Sequence, residues 1–247
     1  MTVPLVAVAH GSRDPRSAAT VRALVDVVRA QAPGLDVHES FLDLSEPLVT
    51  DVLRRLYAQG HRTAVVVPLL LGSAFHARVD LPALVDEVTS ACPGFAIEVS
   101  DVLGADPALE AVALDRLSGA PRRRGTGIVL SAVGSSNPGA NAVVAEMAAR
   151  WEKRLGIPVS EAFASAAQPD VPAAVTRLRA RGVRRIVVAS WFLAPGLLPD
   201  RIATLAREAE PSGYIAEPLG NDPRVADAVI SRYASAVTGL LKTKQFV

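Results

Sequence analysis

Two histidines stand where short apolar runs end. His10 follows Val3–Ala9 and opens the loop His10-Gly11-Ser12-Arg13-Asp14-Pro15, and His76 closes the segment that begins at Pro68 after a third apolar run. Neutral imidazole binds borderline divalent ions such as Fe, Co, Ni or Zn and exchanges protons near neutral pH, so two of them facing one cleft can hold a metal and accept protons. The spacing alone is not specific, because a histidine at a strand end is as often a hydrogen-bonding surface residue. His38 and His61, at a strand edge and after Gly60, read as structural. Beside His10, Gly11 permits close backbone approach. Ser12, Arg13 and Arg16 surround the start of the following helix, whose unbonded amides attract anions, and Arg78 could join the same patch. A carboxylate-rich or phosphorylated ligand fits there, while the competing reading has these arginines covering helix surface.

The elements that must place these residues alternate between two hydrophobic periods. Val3–Ala9, Val37–Leu42, Ala64–Leu71 and Phe95–Val99 are short, rich in β-branched residues and bounded by Gly, Pro or Asp, which predicts strands. Between them, about Arg16 to Ala30, Pro47 to Tyr57, Leu81 to Ala91 and Pro107 to Leu117 repeat their apolar residues at helical spacing. Strand and helix in alternation imply a parallel sheet covered on both faces, with ligands beyond the carboxyl ends of the strands. The pattern occurs twice. Val37, Glu39, Phe41 and Pro47 recur at one constant shift as Val159, Glu161, Phe163 and Pro169, while Gly11 and Pro15 recur as Gly134 and Pro138. Asp106-Pro107 and Asp222-Pro223 each place a capping acid before a proline at a helix start. The expected fold class is therefore α/β, as two similar doubly wound parallel-sheet domains from an internal duplication, 1–120 and 126–247. The basic stretch around Arg122, Arg123 and Arg124 forms the linker between them, its alternative reading being a polyanion site.

Composition narrows the class further. With 50% hydrophobic and 21% charged residues among 247, the chain can bury a sizeable core. Its net charge of +1 provides no global field favouring nucleic acid or an anionic membrane, so neither is expected as a partner. A lone cysteine, Cys92, excludes an internal disulfide or a CxxC site. Polar residues interrupt the N-terminal run before it reaches signal-peptide length, and no stretch approaches the roughly 18 apolar residues of a spanning helix. A soluble, cytoplasmic protein is the expectation.

Taken together, Ala-His10-Gly-Ser-Arg13, the Phe41–Pro47 segment and Pro68-Leu-Leu-Leu-Gly-Ser-Ala-Phe-His76 resemble the sirohydrochlorin chelatases, class II tetrapyrrole chelatases that include cobalt-inserting members and fused two-domain forms. The resemblance spans nearly the whole chain. It implies insertion of a divalent metal, Fe2+ or Co2+, into sirohydrochlorin for sirohaem or cobalamin synthesis. The metal is then a substrate, with no organic cofactor and no ATP, and no Walker loop is present. It further implies that His10 and His76 bind the metal and take up pyrrole protons. On this reading Gly11, Ser12, Arg13, Ser73, Phe75 and Arg78 meet the macrocycle, with an apolar floor from Leu69, Leu70, Leu71 and Phe75. From the loop Asp43-Leu44-Ser45-Glu46, Glu46 is the expected assisting carboxylate, being next to Pro47; a helix-start acid complementing the dipole is its other reading. In the second half Val133 and Leu198 stand at the positions of His10 and His76, and Gln168 at that of Glu46, so one metal site per chain is expected, in the first half. Trp191, Leu193 and Leu197 would add apolar surface, with Phe192 in the second core. The lack of a histidine-rich tract or C-terminal cysteine cluster leans the choice toward iron. Two other functions compete: a tetrapyrrole or metal carrier using the same histidines without turnover, and a histidine phosphatase, whose motif needs an arginine where Ala9 stands.

Overall fold

The computed structural model describes residues 2–72, 79–120 and 124–244. The first eight elements, in chain order, are β1 (Leu5–Ala9), α1 (Pro15–Gln31), β2 (Val37–Phe41), α2 (Val49–Ala58), β3 (Thr63–Pro68), α3 (Leu81–Ala91), β4 (Ala96–Val99) and α4 (Pro107–Asp115). They are followed by β5 (Thr126–Ala132), α5 (Pro138–Leu155), β6 (Val159–Phe163), α6 (Val171–Ala180), β7 (Arg185–Ser190), α7 (Leu197–Ala209), β8 (Tyr214–Ile215) and α8 (Pro223–Lys244). Two four-stranded parallel sheets result, ordered β2-β1-β3-β4 and β6-β5-β7-β8. The α/β class and the duplication thus stand as the sequence pattern predicts, with strand and helix ends shifted by a few residues.

Local chemistry accounts for the elements. α1 starts because the Asp14 side chain accepts the Arg16 N–H while Pro15 supplies a preset first helical residue. Its buried residues Ala18, Val21, Leu24, Val25 and Val28 form one stripe at helical spacing. All five residues of β1 are buried, as a strand covered on both faces requires. Val6, Val8, Ala64 and Val66 pack with α2 and α3 through Val52, Leu53, Leu56, Leu81 and Val85, and each such side chain contributes about 1.5–3 kcal/mol by leaving water.

The compact units do not coincide with the expected 1–120 and 126–247. One consists of Met1–Asp106 with Asn221–Val247, the other of Pro107–Gly220, so the last helix of each sequence half packs into the other unit. The hydrogen bonds explain the exchange. On α8, Arg232 donates to the carbonyls of Val102 and Leu103 at 3.0 and 2.9 Å, and the Tyr233 hydroxyl donates to the Val3 carbonyl at 2.6 Å. On α4, Glu110 accepts from the Trp151 indole at 3.0 Å and pairs with Arg150. Leu109, Val112 and Ala113 bury the apolar side of that helix. In the unit containing β5, Phe192 is 5% exposed and joins the core, and Trp191 is 3% exposed. Trp191 is therefore core and not the apolar surface expected of it, whereas Leu197 remains 65% exposed. Among the described residues no helix is long and apolar enough to cross a membrane.

Removing the Arg232 side chain leaves two carbonyls without their donor. Arg232→Ala should cost about 1–3 kcal/mol, read as a lower denaturant midpoint with unchanged m-value; an unchanged midpoint would show that water replaces the guanidinium at no cost.

Candidate functional site

The strand order makes β1 the branch point of the first sheet, because the chain moves from it to β2 on one side and then returns to β3 on the other. Crevices at such points form beyond the carboxyl ends of the strands. His10 is the first residue past β1. The ladder continues beyond the formal strands: Leu42 donates its N–H to the Ala9 carbonyl at 2.9 Å, and Asp43 donates to the His10 carbonyl at 3.0 Å. Register therefore sets His10 beside Asp43. The His10 Nδ1 lies 3.2 Å from the Gly11 carbonyl. A carbonyl only accepts, so this contact is a hydrogen bond when the ring carries a proton on Nδ1.

Gly11 is what allows the two loops to meet. Its φ is +93°, and a Cβ there would stand 1.7 Å from the Asp43 carbonyl oxygen. A second rung follows: the Ser45 hydroxyl accepts the Ser12 N–H at 3.2 Å and donates to the Ser12 carbonyl at 3.1 Å. A cleft of about 440 Å³ opens here, lined by His10, Leu42, Asp43, Asp80, Ala83, Leu84 and Glu87. Its four titratable lining residues are all bases or acids.

The expected site residues fall into three groups. Ser73, Phe75, His76 and Arg78 lie outside the described residues. Gly11, Ser12 and Arg13 sit with His10 at the end of β1; Arg13 is exposed and makes no hydrogen bond or ion pair among the described residues, while Arg16 is committed to Asp14 through its Nε at 3.0 and 3.1 Å. Glu46 is exposed and is not among the cleft's lining residues. The chain reverses at Leu44, whose φ is +60°, and Pro47 returns to accept the Phe41 N–H at 3.0 Å, so Glu46 lies past the turn with its carbonyl bound by Arg22. Asp43, before the turn, is the carboxylate of that loop that faces the cleft with His10. Leu69 is buried in the core, and Leu70 and Leu71 are half-buried.

A family model described as CbiX matches residues 4–120 and again 127–236. The chain belongs to the CbiX family. Its two CbiX matches follow the sequence repeat and cut across the helix exchange. Among relatives of this CbiX chain, the sirohydrochlorin cobaltochelatase of Methanopyrus kandleri is 26% identical over 135 residues, 47% of this chain and 94% of the relative. The sirohydrochlorin ferrochelatase of Bacillus subtilis is 33% identical over 107 residues, 43% of this chain and 41% of the relative. The solved structure of SirB from Bacillus subtilis with Fe3+ superposes with a TM-score of 0.82 at 24% identity and covers 96% of both chains, which shows the shared fold.

The second CbiX repeat keeps the backbone of this turn without a histidine at the matching position. Gly134 has φ +86°, and a Cβ there would stand 2.1 Å from the Ser165 carbonyl; Ser165 donates its N–H to the Val133 carbonyl at 3.0 Å, as Asp43 does to His10. Val133 is 45% exposed and offers no ligand. A hollow of about 310 Å³ between α5 and β6 holds Glu152 and Glu161, but both acids are engaged by arginines. The Arg181 hydrogen bond, with the Val159 N–H behind it, holds the Glu152 carboxyl below its usual range. Sequence reasoning did not single out the cleft-lining Asp80 and Glu87, and it ranked Glu46 above the cleft-lining Asp43. The first two carry only the signal of an α3 start near His76, and the last turns on a positive φ at a leucine, which residue type does not announce.

Two outcomes follow. Gly60 has φ +95° with nothing within 4 Å of its Cβ position, so Gly60→Ala should cost about 1–3 kcal/mol for the backbone alone. Gly11→Ala should cost more, because the loops must also part; equal losses in thermal unfolding would show that the clash relaxes freely. The Asp14 carboxyl is held below its ordinary value by the Arg16 side chain and then by the Arg16 N–H. Its stabilisation is therefore present above the unfolded-state value and is lost as pH falls through the lowered folded value. Asp14→Asn should flatten that part of the acid unfolding profile, and a profile of wild-type slope would contradict the assignment.

Proposed function

We propose that this chain inserts a divalent metal, iron or cobalt, into sirohydrochlorin, without ATP and without an organic cofactor. The observation that carries the reading is His10 held beside Asp43 at the branch point of the first sheet, in a cleft also lined by Asp80 and Glu87. The names of its relatives, a cobaltochelatase and a ferrochelatase, support the same class. Two pyrrole N–H protons must leave as the metal takes their nitrogens, so the overall change is one M2+ in and two H+ out, with no redox step. His10 and His76 hold the incoming ion loosely and accept protons. Asp43, in the role expected of Glu46, stabilises the imidazolium that forms. Imidazole and carboxylate suit iron and cobalt alike, and the lean toward iron rests on the missing histidine-rich tract and cysteine cluster.

The macrocycle's carboxylates are assigned to the opposite side of the His10 loop. Among the described residues Arg13 makes no bond there, and the Ser12 hydroxyl accepts from the Asp14 N–H and keeps its own proton to donate. Ser73, Phe75 and Arg78 complete the substrate contacts on this reading. A cytoplasmic location agrees with the single cysteine, Cys92, which is buried and reduced. No nucleic acid or membrane partner enters the reaction.

Anaerobic insertion followed by absorbance, with Fe2+ and Co2+ in parallel, tests this. Wild type should accelerate insertion, and His10→Ala and His76→Ala should each lower the rate by at least about a hundredfold. Macrocycle binding without acceleration would replace the enzyme with a carrier, and a double mutant of wild-type rate would remove the histidines from the mechanism.

A further inference from the structure

The loops after β1 and β5 make the same turn, yet each is fastened differently. In both, a serine hydroxyl accepts the N–H two residues on: Ser12 from Asp14 at 3.1 Å, Ser135 from Asn137 at 3.1 Å. In both, one polar side chain also satisfies the serine's own N–H and C=O. For Ser135 that side chain is Asn141 of α5, which accepts at 2.9 Å and donates at 2.7 Å. For Ser12 it is Ser45 of the neighbouring loop, at 3.2 and 3.1 Å. The repeat aligns Ser45 with Ala167 and Asn141 with Ala18. Each unit therefore has one such fastener, and the two sit at non-equivalent positions.

Satisfying the backbone does not explain the difference, because Asn141 does it equally well from within one loop and its own helix. What Ser45 adds is a link between two loops. Two residues before Ser12 is His10, and two residues before Ser45 is Asp43. The His10–Asp43 and Ser12–Ser45 rungs thus form a short ladder, with Gly11 pressed against the Asp43 carbonyl between them. In the other unit the place of His10 is taken by Val133, position 167 is an alanine, and the one hydroxyl described between the two loops is that of Ser165, which donates to the Val133 carbonyl at 3.2 Å one rung earlier and leaves Ser135 to Asn141.

We propose that Ser45 is a positioning residue, whose hydroxyl locks the loop after β1 to the loop after β2 and so fixes the His10 imidazole relative to the Asp43 carboxylate. The proposal rests on the chelatase reading of the same cleft. Ser45 touches neither metal nor macrocycle; it sets the distance at which base and acid act together. A displacement of about 1 Å in such a constellation can lower a rate roughly a hundredfold.

The test measures kcat and KM for both substrates, with thermal unfolding, in Ser45→Ala, Ser45→Thr and Asn141→Ala. Ser45→Ala should lose roughly 10- to 100-fold in kcat with an unchanged KM for sirohydrochlorin. Ser45→Thr, which keeps the hydroxyl, should return close to the wild-type rate. Asn141→Ala removes the equivalent fastener in the other unit and should lower Tm comparably while leaving kcat unchanged. Wild-type kcat in Ser45→Ala overturns the proposal, as does a folded Ser45→Thr that stays slow, or a loss of kcat that follows Tm equally in Ser45→Ala and Asn141→Ala. A wild-type protein that does not accelerate insertion overturns the function itself, a result separate from these.

Discussion

β1 is hydrogen-bonded along both edges, and the site follows from that. Its residues pair with Val37–Phe41 on one side and Val65–Pro68 on the other. All five of its side chains are buried, so every backbone group must find its partner in the sheet. Such a strand cannot slide by one residue without reversing its apolar faces and stranding its amides. The position of His10 is therefore set by the core and not by the loop, and the same register that pairs Ala9 with Phe41 carries the ladder on to Asp43. Gly11 extends this constraint outward, because only a residue without Cβ lets the next backbone segment approach the Asp43 carbonyl.

Duplication kept that constraint and changed the side chains around it. Both units retain the glycine after the central strand, the positive φ at Leu44 or Ala166, and the cis peptide before Pro47 or Pro169. These backbone features recur in both units although the side chains around them differ. The side chains facing outward from the same turn are not so constrained, and they differ: His10, Arg13 and Asp43 in one unit correspond to Val133, Ser136 and Ser165 in the other.

Much of this was legible in residue order, and the exceptions have physical causes. Short β-branched runs, proline-capped helix starts and the repeated glycines announce two parallel sheets. The helix exchange is not announced, because the apolar stripe of α8 would suit either sheet and only long-range bonds such as Arg232 to Val102 decide between them. Glu46 looked favoured as the residue before proline, yet among the described residues it is Asp43, before the reversal at Leu44, that lines the cleft with His10. Trp191 looked like surface at a strand end, but its position follows Ser190 so closely that it remains within the core. His76 and the residues around it lie outside the described residues, so the second imidazole rests on sequence alone.

Charge at the carboxyl end of the first sheet is sorted by commitment. Arg16 is bound to Asp14, Arg22 to the Glu46 carbonyl and Arg54 to Glu87, so these guanidiniums are occupied in holding the scaffold. Among the described residues Arg13 makes no such bond, and it is exposed. On the proposed reading, an incoming cation is drawn to the carboxylates of the cleft and an anionic substituent to Arg13. A ligand that must accept a metal at its centre while carrying carboxylates at its rim needs that separation. Were cation and carboxylates to compete for one patch, the rim would bind the metal before the ring nitrogens could.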